Sequence, residues 1–221
     1  MVLIVKFCIA GNLRFLSHSE TLRTFHRACQ RAGLPLRYSR GFNPRPKISL
    51  PCPRSVGIEA FDEVLIVELD NETLRCSKKS LVSYIQQALL HQLPDGCDLI
   101  SITCYDEKVK LRPREVMYLM HVKKKYSNDA LRMRINTVLS EEHLFFRRYK
   151  DGKREGYKDL DLRPFVKSID YHKNDDGTVD ISIACRVSTS GTVRVDELLM
   201  LLGLDIEEMK TPIQRTHIEW N

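Results

Sequence analysis

The apolar positions of this 221-residue chain change period several times, and each change marks an element. Residues 2 to 9, "VLIVKFCI", are a short β-branched run that predicts a strand. From Ser17 the spacing becomes helical: Leu22, Phe25, Cys29 and Ala32 form one stripe, Ser17 and Glu20 supply an S-x-x-E capping box, and Gly33 with Pro35 supplies the stop. After a loop rich in proline and glycine, "KISL" (Lys47 to Leu50) and "EVLIVEL" (Glu63 to Leu69) predict two paired strands. A second helix sets Leu81, Tyr84, Ile85, Ala88 and Leu89 on one face and stops before "PDG"; "CDLISITCY" then predicts a strand.

The second half runs in the same order. "VMYLMHV" predicts a strand, "NDALRMRINTVLS" a helix, "EHLFFRRY" and "TVDISIACRV" two strands, "VDELLMLLG" a short helix and "PIQRTHIEW" a last strand. Two β-α-β-β-α-β halves match the split βαβ plan, so the expected fold is α+β: two tandem ferredoxin-like units with antiparallel sheets. Pro113 and the charges of "DEKVKLRPRE" place the boundary near residue 110, giving domains 1–110 and 111–221.

Composition narrows the class. The opening "MVLIVKFCIA" is broken by Lys6 after five apolar residues, which excludes it as a membrane span and argues against a signal peptide. Seven scattered cysteines without a C-x-x-C pair predict reduced, mostly buried thiols and hence a cytoplasmic protein with no membrane contact.

Charge changes the picture more. Between Gly11 and Arg54 lie eight arginines (Arg14, Arg23, Arg27, Arg31, Arg37, Arg40, Arg45 and Arg54) and Lys47, against the single acid Glu20, a net of +8. The whole chain carries only +6, so the other 177 residues sum to −2. On the first helix Arg23, Arg27, Gln30 and Arg31 share the face away from the apolar stripe, where like charges three or four apart repel. The loop adds Arg37, Arg40, Arg45 and Lys47, interleaved with Tyr38 and Phe42. Arginine forks grip phosphates bidentately and exposed aromatics stack on unpaired bases, so Arg14 and these residues are the expected RNA-binding set. The competing reading is a solvated face with salt bridges to the acidic remainder. A second cluster, "FFRRYKDGKREGYK" (Phe145 to Lys158), has six bases against Asp151 and Glu155 and a "KDGK" centre suited to a hairpin tip.

Chemistry is sparser. His18, in the first helical turn beside Arg14 and Arg23, is a candidate base for metal-free RNA cleavage, with Tyr38 assisting; the alternative is a packed or capping histidine. His26 flanks the stripe as a structural residue. No metal-ligand spacing, P-loop or G-x-G-x-x-G occurs, so neither metal nor cofactor is expected.

The stretch "LRFLSHSETLRTFHRACQRAGLPLRYSRGFNPRPKISL" closely resembles the bacterial radical SAM-linked protein family, a domain of unknown function encoded beside, or fused to, a radical SAM protein. The family pattern "RFLSHLD", "RAxRRAGLP", "SxGFNPHPKIS" and "G-x-E" falls here on Arg14 to Ser19, Arg27 to Pro35, Ser39 to Ser49 and Gly57 to Glu59. "DLRPFVKSI" and "DELLMLLG" extend the likeness into the second half. Ser19 stands where leucine is usual, Glu20 where aspartate is usual, and Arg45 where histidine is usual, which removes a second imidazole. The resemblance implies a radical SAM enzyme as partner, while this chain lacks the C-x-x-x-C-x-x-C that would hold its cluster. The tandem plan is also similar to that of CRISPR repeat-processing ribonucleases. The expected function is therefore an RNA-binding accessory module, with a metal-independent endoribonuclease and a protein-binding scaffold as alternatives.

Overall fold

The computed structural model describes residues 1–70, 78–149 and 157–221. The chain is mixed α+β, with ten strands and four α-helices among the described residues, and it divides into two compact units: Met1–Arg112 with Asn221, and Pro113–Trp220.

The first unit runs β1 (Val2–Ile9), α1 (His18–Arg31), β2 (Ile48–Ser49), β3 (Glu59–Glu68), α2 (Lys78–Leu90) and β4 (Cys97–Tyr105). Its strands pair antiparallel in the order β4-β1-β3-β2. Period-two alternation sends Leu3, Val5, Phe7 and Ile9 of β1 to one face, where they pack with Phe25, Ala28 and Cys29 of α1 and with Leu81, Ile85 and Leu89 of α2. Phe7 and Phe25 meet edge to face with centroids 4.5 Å apart.

The capping box of α1 is formed: Ser17 Oγ accepts from the Glu20 N–H at 3.3 Å, and Glu20 Oε2 accepts from the Ser17 N–H at 2.8 Å. The buried stripe runs through Thr21, Phe25, Ala28 and Cys29, while Leu22 is half-buried. In α2 the i, i+4 row Leu81, Ile85, Leu89 fills the buried face and leaves Tyr84 exposed, against expectation.

The second unit runs β5 (Pro113–Val122), α3 (Asp129–Ser140), β6 (Phe145–Tyr149), β7 (Tyr157–Asp161), β8 (Val166–Lys173), β9 (Val179–Arg186), α4 (Val195–Leu202) and β10 (Gln214–Trp220). Its main strands pair antiparallel in the order β10-β5-β9-β8. Here the strand expectation needs correction. The segment "EHLFFRRY" does not join this sheet: β6 pairs with β7 as a separate two-stranded hairpin. The place beside β9 is taken by "VKSIDYHK", whose register shifts between Val166 and Ser168. That irregularity spaces Val166, Ile169 and Tyr171 by three and then two, so no strict alternation announces the strand. With the hairpin set aside, both units share one order of elements. The expected "KDGK" tip lies outside the described residues.

Cys8, Cys29, Cys52, Cys97, Cys104 and Cys185 are in no disulfide, and burial pushes Cys29, Cys97 and Cys185 up to about 12. Among the described residues, no helix is long and apolar enough to cross a membrane.

Candidate nucleic-acid interface

The helix α1 turns its apolar stripe to the core, which leaves Arg23, Arg27, Gln30 and Arg31 exposed. The block's own acid makes no ion pair with them among the described residues. Glu20 is engaged by the cap, where Ser17 Oγ also donates to it at 2.6 Å, and these hydrogen bonds, with Arg23 nearby, hold its carboxyl below the usual carboxylate range. Arg31 donates to the Gln92 carbonyl at 2.8 Å, which fixes its direction without cancelling its charge.

The loop after α1 closes on itself. Tyr38 bridges Pro46, the Ser39 N–H donates to the Arg45 carbonyl at 2.9 Å, and the Arg45 N–H donates to Ser39 Oγ at 2.9 Å. The Lys47 N–H donates to the Arg37 carbonyl at 2.8 Å, and the Arg37 N–H reaches the Glu68 carbonyl at 2.9 Å, tying the base of the loop to β3. These bonds push residues 40–45 outward, and all six are exposed. Phe42 stands fully in solvent at the tip, between Arg40 and Arg45. Tyr38 packs edge-on against His26 of α1, with centroids 6.5 Å apart, so the loop lies beside the arginine-bearing helix.

Apart from Arg31, the cations of the expected RNA-binding set therefore fall into three groups. Arg37 and Lys47 share one carboxylate, Glu68, at 3.5 and 3.4 Å. Arg14 donates to the Gly11 carbonyl at 2.7 Å and stacks on exposed Phe15, 4.3 Å from its centroid. Arg23, Arg27, Arg40 and Arg45 are exposed, and none is in an ion pair among the described residues. Arg54, counted in the basic block, is structural: its guanidinium donates to the carbonyls of Arg14, Leu16, Ser55 and Ile58.

Charge counting alone does not reveal that role. The G-x-E motif is the available signal: Gly57, at φ +91, gives its N–H to the Arg14 carbonyl at 2.8 Å, and Glu59 accepts from the Gly11 N–H at 3.0 Å. The stretches Gly11 to Leu16 and Arg54 to Glu59 thus build one corner of the first unit.

His18 belongs to that corner rather than to the arginine face. Its Nδ1 is buried without a hydrogen-bond partner, beside a cavity of about 10 Å³ lined by Phe7, Thr21, Cys52, Arg54 and Glu63. Such a space holds about one water and no ribose. Tyr38 packs against His26, two helical turns along α1 from His18. Among the described residues, no group of three or more histidines, cysteines and carboxylates could hold a metal ion.

The second basic cluster is wired differently. Arg148 makes a two-pronged bridge to Glu197, Nε to Oε1 and Nη2 to Oε2, both at 2.7 Å, and Glu197 is 1% exposed. Arg147 pairs with Asp159 at 3.1 Å, and His143 with Asp161 at 2.8 Å.

Against known proteins, a family model described as "Uncharacterized protein conserved in bacteria (DUF2344)" matches residues 3–195. No curated protein matches. Among solved structures, a chain from a crystal structure of a Cbf5-Nop10-Gar1 complex is similar at a TM-score of 0.50 and 10% identity, over 98% of this chain and 48% of that one. This chain thus spans about half the length of that relative, and the likeness is one of fold alone.

Proposed function

The chain belongs to the DUF2344 family of uncharacterized proteins conserved in bacteria, and from that premise we propose that it is a cytoplasmic RNA-binding accessory module without catalytic activity of its own. The observation that carries this reading is the set Arg23, Arg27, Arg40 and Arg45, exposed and outside every described ion pair, grouped around Tyr38 and solvent-borne Phe42. Guanidinium groups left without carboxylates favour a polyanion, because phosphate contacts release counterions from the nucleic acid. An exposed ring at a loop tip adds a stacking face for an unpaired base.

The strand orders β4-β1-β3-β2 and β10-β5-β9-β8 support a ferredoxin-like plan for each unit, the second interrupted by a hairpin. A radical SAM enzyme as partner rests on the sequence resemblance, and a place in RNA or ribosome-related modification follows from combining that partner with RNA binding. The endoribonuclease reading gains no support from His18, whose Nδ1 faces a one-water cavity.

The experiment incubates the purified protein with hairpin and tRNA-like RNAs in EDTA, beside His18→Ala and an Arg23→Ala, Arg27→Ala double variant. Binding without cleavage, weakened only in the arginine variant, is the expected result. Cleavage abolished by His18→Ala would make the protein a nuclease, since loss of a general base costs about 10²- to 10⁴-fold in rate. No binding at low salt would leave the scaffold reading.

A further inference from the structure

The β6–β7 hairpin inserted in the second unit has two unlike faces. Along β6 and the residues before it, His143, Phe145 and Arg147 are exposed, while Leu144, Phe146 and Arg148 are half-buried. The inner side is anchored by Arg148, which bridges buried Glu197 and also donates to the Thr192 carbonyl at 3.0 Å. The outer side is largely exposed, and a strand face turned to water is served by polar residues. Instead it carries Phe145, 75% exposed, and Tyr157, 53% exposed.

Those rings already sit in stacks. His143 lies nearly parallel to Phe145, centroids 5.4 Å apart at 21°, and the Arg147 guanidinium lies 4.4 Å from the Tyr157 centroid. The register explains the second stack: Arg147 opposes Asp159, so Tyr157 is its diagonal neighbour on the same face. Asp161 holds His143, and Asp159 holds Arg147, so the planar groups are oriented while Arg147's charge is matched.

We propose that this outer face stacks unpaired nucleobases of the bound RNA, with Phe145 and Tyr157 as the platforms; the inference rests on the RNA-binding reading above. Three observations select this occupant. The charge pairing removes the drive toward phosphate, which leaves a flat, near-neutral π partner as the complement. A two-stranded arm of five residues is about 17 Å long and one strand spacing wide, far below the roughly 800 Å² that each partner contributes to a stable protein interface. An open cleft of about 390 Å³ reaches from Phe145, Arg147 and Asp159 of the outer face round to Phe146, and Asp159 brings a carboxylate acceptor for a base N–H. Aromatic residues on exposed sheet surfaces stack two or three bases in just this manner.

The test uses the full chain and two probes: a single-stranded oligoribonucleotide carrying 2-aminopurine, and a fully paired RNA hairpin of equal length. Wild type should quench 2-aminopurine on binding. A Phe145→Ala, Tyr157→Ala double variant should lose the quench and weaken single-strand affinity roughly tenfold or more for each stack removed, with paired-RNA affinity and salt dependence unchanged. Tyr157→Phe, which keeps the ring, should retain both. Both positions are exposed, so circular dichroism should show folded variants. Unchanged quench and affinity in the double variant, or equal losses on both probes, overturns the inference while leaving the RNA reading intact. Wild type that binds neither probe removes the RNA reading and the inference with it.

Discussion

Two arginine-rich regions of this molecule have similar composition and opposite wiring. In α1 and its loop, the one local acid is engaged by a helix cap, and Arg23, Arg27, Arg40 and Arg45 lie outside every described ion pair. In the β6–β7 hairpin, Arg147 and Arg148 each have a carboxylate. The first arrangement leaves its charge outside the described ion pairs, and the second uses its charge to fix geometry. Counting basic residues does not distinguish them, because what matters is whether a carboxylate arrives from another part of the fold.

Mutation should separate the two regions, most strongly at Arg148. Arg148→Ala strands Glu197 in a buried site, which costs about 3–5 kcal/mol, and urea unfolding of the full chain should register a loss of that order. A change near zero would mean that the bridge does not anchor the hairpin. Next comes Ser17→Ala, which removes the hydroxyl that caps α1 and should cost about 0.5–2 kcal/mol; an unchanged urea midpoint would show that the Ser17 side chain does not stabilise the helix start.

A smaller effect depends on pH. Asp161 lies below the usual carboxylate range because the His143 side chain hydrogen-bonds to it, with the N–H groups of Leu144 and Arg163 adding to this. A carboxyl whose folded value is depressed contributes its stability in full above the unfolded value of about 4 and loses it as pH falls through the folded value. Asp161→Asn should remove this acid-side slope from unfolding curves measured between pH 5 and pH 2; an identical slope in wild type and variant would contradict the assignment. The smallest effect is at Arg27. Arg27→Ala should move stability by no more than about 0.5 kcal/mol, so the residue contributes little to folding, in contrast to Arg148.

Much of this arrangement is legible in the sequence, for local reasons. Ser17 and Glu20 announce the start of α1, the stop at Gly33 bounds it, and the interleaving of Arg40, Phe42 and Arg45 marks an exposed loop. What escapes is nonlocal. The bridge from Arg148 to Glu197 spans 49 residues, and the cage of carbonyls that removes Arg54 from the basic surface is assembled from two separate segments. Tyr84 falls at helical spacing yet outside the stripe, because Leu81, Ile85 and Leu89 already fill the core contact. "VKSIDYHK" hides its strand behind a register shift, while "EHLFFRRY" alternates well enough to suggest the sheet and instead builds the hairpin.

The claim that the unmatched arginines exist for phosphate is tested most directly by RNA affinity as a function of salt. For wild type, the logarithm of the binding constant should fall linearly with the logarithm of salt concentration, at about 0.7 per phosphate contact on single strands. Arg23→Ala and Arg27→Ala should each flatten that slope by about one contact, and Arg147→Ala should leave it unchanged. A slope indifferent to salt, or one that Arg147→Ala flattens as much as Arg27→Ala does, would contradict the account.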